Sequence, residues 1–293
     1  MPTRQAARAG SFYEAGPDAC RRHARRLIDA AAPPDDLTAN LPGGIVPHAG
    51  WMFSGRPAAL TLKALAQAKT RRTFILFGAD HTGAARRGEV FDEGTWRTPL
   101  GDAPVDEELA SAILAAGEHL RANPEAHGFE HSIEVQVPLI QVLAPKARIV
   151  PITVPPASEA VAIGEQVAGV LAGRDDVALV GSTDLTHHGG HFPSPGGRSE
   201  RGVQWAREND QRMIRLIERM DAEAVIREAD ERGNACGAGA IAATVAACKQ
   251  LGATHGRTLE YTNSHEVLRE LQPGGADDTT VGYASVVFEA GGS

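Results

Sequence analysis

Short apolar runs bounded by glycine and proline alternate along this chain with longer segments of helical periodicity. That alternation restricts the fold more than any other feature. Gly44–Pro47 (GIVP), Thr73–Gly78 (TFILFG), Arg148–Pro155 (RIVPITVP) and Val177–Gly181 (VALVG) read as buried strands. Pro57–Ala68, Asp106–Ala116, Ser158–Leu171, Glu208–Met220 and Gly237–Leu251 read as helices. Continuous apolar runs, unlike apolar–polar alternation, belong to strands covered on both faces. The pattern predicts an α/β fold: a central, mostly parallel sheet with helices on both faces. Two later β-rich runs, Thr258–Thr262 and Thr280–Phe288, are expected to extend it, antiparallel at an edge. His131–Leu143 alternates like a strand, but Pro138 and its length favour a helix with an irregular first turn.

With 293 residues and no repeat or long linker, residues 1–293 read as one domain. The softest stretches, Pro33–Asp36, His188–Gly197 and Gln272–Asp278, are short enough to be surface loops. The net charge of −8 and the lack of a dense Lys/Arg block argue against a nucleic-acid partner. Arg21, Arg22, Arg25 and Arg26 read as the solvated face of an amphipathic helix that turns Leu27, Ile28 and Ala31 inward. No run of about 18 apolar residues predicts a membrane span, and the N-terminus lacks the apolar core of a signal peptide. The cysteines, Cys20, Cys236 and Cys248, are odd in number and irregularly spaced. That favours a reducing, cytoplasmic compartment, where a special cysteine is a ligand or nucleophile rather than half of a bridge.

The chemistry concentrates where strands end. In open α/β sheets ligands bind at the carboxyl ends of the strands. GIVP runs into His48, TFILFG into Asp80 and His81, and VALVG into Asp184, His187 and His188. A random scatter of 11 histidines would rarely place one after each of these strands. His48, His81 and His187 or His188 are therefore candidate neighbours. Cys236 precedes a helix that Asn234 is expected to cap, and the helix dipole there favours the metal-binding thiolate. Gly237 and Gly239 would let this turn approach another backbone or a ligand. His131 and Glu134, three apart, form either a functional carboxylate–histidine pair or a plain ion pair. Cys248 and Cys20 read as inert core residues, and His23, His119, His127 and His255 as surface residues; His265 is open either way.

In order along the chain, these segments resemble the Memo family, also known as AmmeMemoRadiSam system protein B. ARAGSFYEAG at the start, PHAGWMFSG (Pro47–Gly55), GADHTG (Gly78–Gly83), EHSIEVQVPLIQ (Glu130–Gln141), STDLTHHG (Ser182–Gly189), CGAGAI (Cys236–Ile241) and the terminal TTVGYASVVF carry the resemblance. It implies a fold like that of class III extradiol dioxygenases. It also implies a metal site on His48, His81 and Cys236, lined by Asp184 and His187, with His131 nearby. Fe(II) is the first expectation for the ion, with copper or zinc as alternatives. The sequence departs from the family at Ala79-Asp80, which puts an additional carboxylate beside His81, and at Trp51 and CGAGAI.

Three readings follow. The first is a dioxygenase-like redox enzyme in which His187 or His131 handles protons and Asp184 lines the site. The second is a metal- or peptide-binding protein that works with AMMECR1-like and radical-SAM partners. The third is a hydrolase with Cys236 as nucleophile supported by Asp184 and His187.

Overall fold

The computed structural model describes residues 2–291 apart from 84, 194, 196, 198 and 273–278. The expected loop Gln272–Asp278 thus falls almost wholly outside the described residues. Four parallel strands form the centre of the main sheet, in the order Gly43–Val46, Val177–Ser182, Thr73–Gly78, Arg148–Thr153. The β-rich runs near the C-terminus are Ala253–Asn263 and Thr280–Ala290. They pair with each other antiparallel, and the second pairs antiparallel with Gly43–Val46. On the far flank Gly88–Val90 lies antiparallel to Arg148–Thr153 and parallel to Leu120–Ala122.

Both faces of the central strands are buried, and the two-residue period sorts their side chains. Phe74, Leu76, Ala178 and Val180 pack on one side with the helices Pro17–Ala30, Trp51–Ala68 and Val137–Leu143. Ile75, Phe77, Val177 and Leu179 pack on the other with Glu107–Ala115, Glu159–Val170, Glu200–Glu218 and Ala238–Gln250. This covering is why the runs are apolar throughout. Among the described residues no helix is long and apolar enough to cross a membrane.

Several boundaries differ from expectation. The helix expected from Pro57 begins at Trp51, with Pro57 inside it. Proline favours the first turn of a helix, but Gly50 is the N-cap here, so the helix starts about two turns earlier. The helix expected from Glu208 begins at Glu200, capped by Ser199. The His131–Leu143 stretch is a short 3-10 turn, Glu134–Gln136, leading into the helix Val137–Leu143. Unanticipated are the helices Ala222–Arg232 and Ser264–Leu271 and a small sheet of Thr3–Arg4, Thr95–Thr98 and Gly101–Pro104. Their strands are too short to show a period.

Candidate metal centre

The strands Gly43–Val46, Val177–Ser182 and Thr73–Gly78 are adjacent and parallel, so they end at one edge of the sheet. The third strand by sequence sits between the two earlier ones. That is the kind of crevice where open α/β sheets place ligands. His48 follows the first strand, His81 the second, and Asp184 and His187 the third.

His48 is buried and locked in place. Its backbone N–H donates to Asp184 Oδ1 (2.7 Å), and its Nδ1 lies 3.0 Å from Ser182 Oγ. The Ser182 hydroxyl donates to the Ser132 carbonyl (2.7 Å), so it accepts from His48 Nδ1–H. The Nε2 lone pair of a neutral imidazole is left free, and it faces Cys236 Sγ at 3.2 Å. Burial, then the neighbouring His81 and His131, holds the His48 pKa well below that of free imidazole.

His81 is placed by Glu130, whose carboxylate oxygens lie 3.0 and 3.1 Å from its Nδ1. Glu130 also accepts the backbone N–H groups of His81 (3.0 Å) and Ser132 (2.8 Å). A carboxylate only accepts, so His81 carries its proton on Nδ1 and turns Nε2 outward. Burial works most strongly against charge on His81, but the hydrogen bond and charge of Glu130, together with the charges of Asp184 and Asp80, outweigh it and raise the pKa. Burial likewise opposes charge on Glu130, yet His81 and the N–H donors depress its pKa.

His131 completes the cluster. It stacks on His81 (centroids 4.7 Å, planes 18° apart) and stands edge-on to His48 at 5.5 Å. Each of His48, His81 and His131 offers a ring nitrogen within 4.8 Å of the other two. Burial, then His81, lowers the His131 pKa to about 4. The expected pairing of His131 with Glu134 is not formed. Glu134 instead binds Arg4 Nη1 (2.5 Å), Tyr13 Oη (2.6 Å) and the N–H groups of Ala7 and Arg8. The N-terminal segment, which carries no periodic signal, docks there.

Cys236 lies in the turn before Ala238–Gln250, and its N–H donates to the Asp184 carbonyl (3.2 Å). A Cβ at Gly237 would collide with the Ser182 carbonyl, and one at Gly239 with the Pro155 carbonyl. Both glycines are therefore required for this close approach. Asn234 does not cap the helix; it is buried and donates to the Asn209 carbonyl (3.0 Å). The expected thiolate is also corrected. Burial, then the Asp184 charge, pushes the Cys236 pKa up. Metal-free, this sulfur is a thiol.

Asp184 is buried, and burial raises its pKa to about 7 despite the N–H bonds from His48 and Ala49. His187 Nδ1 bonds the Leu185 carbonyl at 2.9 Å. Its charge state is felt by His48, and its pKa is lowered by burial, then by His81. His188 packs against Gly202 and Trp205, and neither of its buried ring nitrogens finds a hydrogen-bond partner among the described residues. Asp80 spends its oxygens on Thr82 Oγ1 (2.7 Å) and Ala85 N–H (2.8 Å), closing its own loop. His127, expected at the surface, is fully buried and bonds the Glu89 carbonyl at 2.9 Å. No Asp184–His187–Cys236 relay is formed among the described contacts, because His187 and Cys236 bond elsewhere.

The family profile described as Memo-like protein matches residues 4–287. The chain belongs to the Memo family. A MEMO1 family protein of Methanopyrus kandleri is 35% identical over 300 aligned positions, covering 98% of this chain and 99% of the relative. One from Pyrococcus abyssi is 39% identical over 257, covering 84% and 86%. One from Thermococcus kodakarensis is 37% identical over 291, covering 96% and 97%. In this Memo family member the histidine-bearing motifs at residues 48, 81 and 131 bring their ring nitrogens together.

Proposed function

We propose that this protein is a metal-dependent redox enzyme, dioxygenase-like, with His48, His81 and Cys236 as the metal ligands. One observation carries the reading. His48 and His81 each commit Nδ1 to a protein acceptor, Ser182 and Glu130, which leaves Nε2 of both rings available. Metal-binding histidines are commonly oriented in this way, with the second nitrogen bonded to a carboxylate or another polar group. A sulfur 3.2 Å from His48 Nε2 suits two donors sharing one ion, since metal–nitrogen and metal–sulfur bonds run about 2.0–2.3 Å. The donor set therefore fits a transition metal. Fe(II) is the first candidate, and the soft sulfur keeps copper and zinc as alternatives.

Bound there, iron would supply open coordination positions for O₂ and a small substrate. The chain's own groups do the rest. Glu130 fixes the His81 ring, and Asp184 fixes the His48 backbone. His131, neutral at physiological pH and stacked on His81, accepts a substrate proton; His187 is a second acceptor at the rim. Asp184 helps to set the charge of the cleft.

The close grouping of the three imidazoles favours a variant of this reading, in which His131 replaces Cys236 as third ligand. Metal analysis of untagged protein loaded anaerobically with Fe(II) separates them. His48→Ala and His81→Ala should abolish stoichiometric binding. Loss in Cys236→Ala but not His131→Ala supports the sulfur ligand, and the converse supports three histidines. Full metal content in His48→Ala would overturn the proposal. The soft, half-buried sulfur also suits a role without turnover, in which the cleft holds metal or peptide and acts through AMMECR1-like and radical-SAM partners. The absence of O₂ consumption across a catechol panel, with a stable complex isolated, would favour that role. Three cysteines free of disulfides suit a reducing, cytoplasmic setting for either role.

A further inference from the structure

Two arginines enter the site from the N-terminal segment, and only one is spent. Arg4 uses its whole head: Nε donates to the His127 carbonyl (3.0 Å), Nη1 to Glu134 (2.5 Å) and Nη2 to the Glu130 carbonyl (2.7 Å). Arg8 has a fixed backbone, its N–H on Glu134 Oε1 (2.8 Å) and its carbonyl accepting from Ser11 and Phe12 (both 3.0 Å). Its guanidinium has no hydrogen bond or ion pair among the described residues, and its Nε is shut from water without a partner. The guanidinium carbon sits 5.3 Å from the centre of the Phe12 ring. That ring stands edge-on to His131 at 5.1 Å. Arg8 is also near enough for its charge to disfavour a proton on His131.

We propose that Arg8 is the carboxylate-binding residue of this cleft, so that its ligand is a small organic monocarboxylate whose apolar body lies along Phe12. This rests on the metal-centre reading for the ligand's other end. A half-buried, unpaired guanidinium on a backbone that Glu134 already fixes gains a bidentate carboxylate partner at little cost in order. The surroundings select against a dianion. Glu134 binds the Arg8 backbone, and Glu130 faces the same His131 that Arg8 does, so a dianion would meet more repulsion there than a monocarboxylate.

The test titrates benzoate, neutral benzamide and inorganic phosphate calorimetrically into the full chain, metal-free and zinc-loaded. Wild type should bind benzoate at least about tenfold more tightly than benzamide in both forms, a charge-assisted pair's worth. Arg8→Gln should lose that preference while melting at the wild-type temperature, and Arg8→Lys should keep part of it. Equal affinity for benzoate and benzamide, a preference that survives in Arg8→Gln, or displacement of benzoate by phosphate would each overturn the proposal. Failure of wild type to take up zinc would instead remove the metal-centre reading, and the metal-free titration would still decide the role of Arg8.

Discussion

Glu130 and Glu134 stand four residues apart on one segment, are equally buried, and serve opposite purposes. Glu134 closes a network in which every partner belongs to the protein. Arg4, Tyr13 and two backbone N–H groups saturate it, and Arg4 also lies over the Trp96 ring at 4.5 Å. Glu130 anchors a cluster that is deliberately left incomplete. It fixes the Nδ1 side of His81, while ring nitrogens and a sulfur remain without strong partners on the other side. A buried polar group left unpaired is costly. The difference separates the two regions: the saturated network holds the N-terminal segment, and the unsaturated one leaves a group of ring nitrogens compatible with a metal ion.

The widest gap between the two regions should appear on removing Glu134. Glu134→Ala leaves Arg4 buried without its counter-charge, and breaking such a pair costs about 3–5 kcal/mol. Chemical denaturation should report that loss, while the fraction that remains folded binds metal as wild type does. A loss below about 1 kcal/mol, within the range of an exposed ion pair, would mean that Glu134 does not hold the N-terminal segment.

Acid should loosen the same saturated region through His127, whose carbonyl accepts from Arg4. Burial lowers the folded His127 pKa to about 4. The unfolded imidazole takes a proton as the pH falls below about 6.5, whereas the folded one resists until about 4. The contribution of His127 is therefore full above that window and falls progressively across it, by about 3 kcal/mol in all. Denaturation at pH 7 and pH 4.5 should show a smaller drop in His127→Gln, whose amide can still donate to the Glu89 carbonyl. Identical pH dependence in the two proteins would dismiss the effect.

The unsaturated region was the more legible in the sequence. His48, His81 and Asp184 follow apolar strand runs, and parallel pairing alone brings such ends together. Cys236 could be placed because the glycines beside it announce a close approach. The saturated region was not legible. Thr3–Arg4 is a two-residue strand, and nothing local says that Arg4 crosses to Glu134. His127 read as a surface residue because polar neighbours surround it in sequence, while its burial comes from Phe91 and Trp96 in space. The thiolate expected at Cys236 failed for a related reason, since proximity to a helix terminus can be read from sequence but desolvation cannot. Glu130 offered a faint signal, lying next to His131 in a motif, but its bond to His81 spans 49 residues.

The smallest expected free-energy change is also the sharpest test of the comparison. Glu130→Gln keeps the shape of the side chain but removes its charge and half of its acceptors. His81 would lose the carboxylate that raises its pKa and fixes its proton on Nδ1. Changes of this kind beside a metal ligand typically weaken metal binding about 10–100-fold, or about 1.4–2.7 kcal/mol. The amide oxygen can still accept the Ser132 N–H, so global stability should move far less than in Glu134→Ala. Equilibrium zinc titration set beside a melt separates the two quantities. A variant that melts early but binds zinc with undiminished affinity would show that Glu130, like Glu134, only holds the chain together.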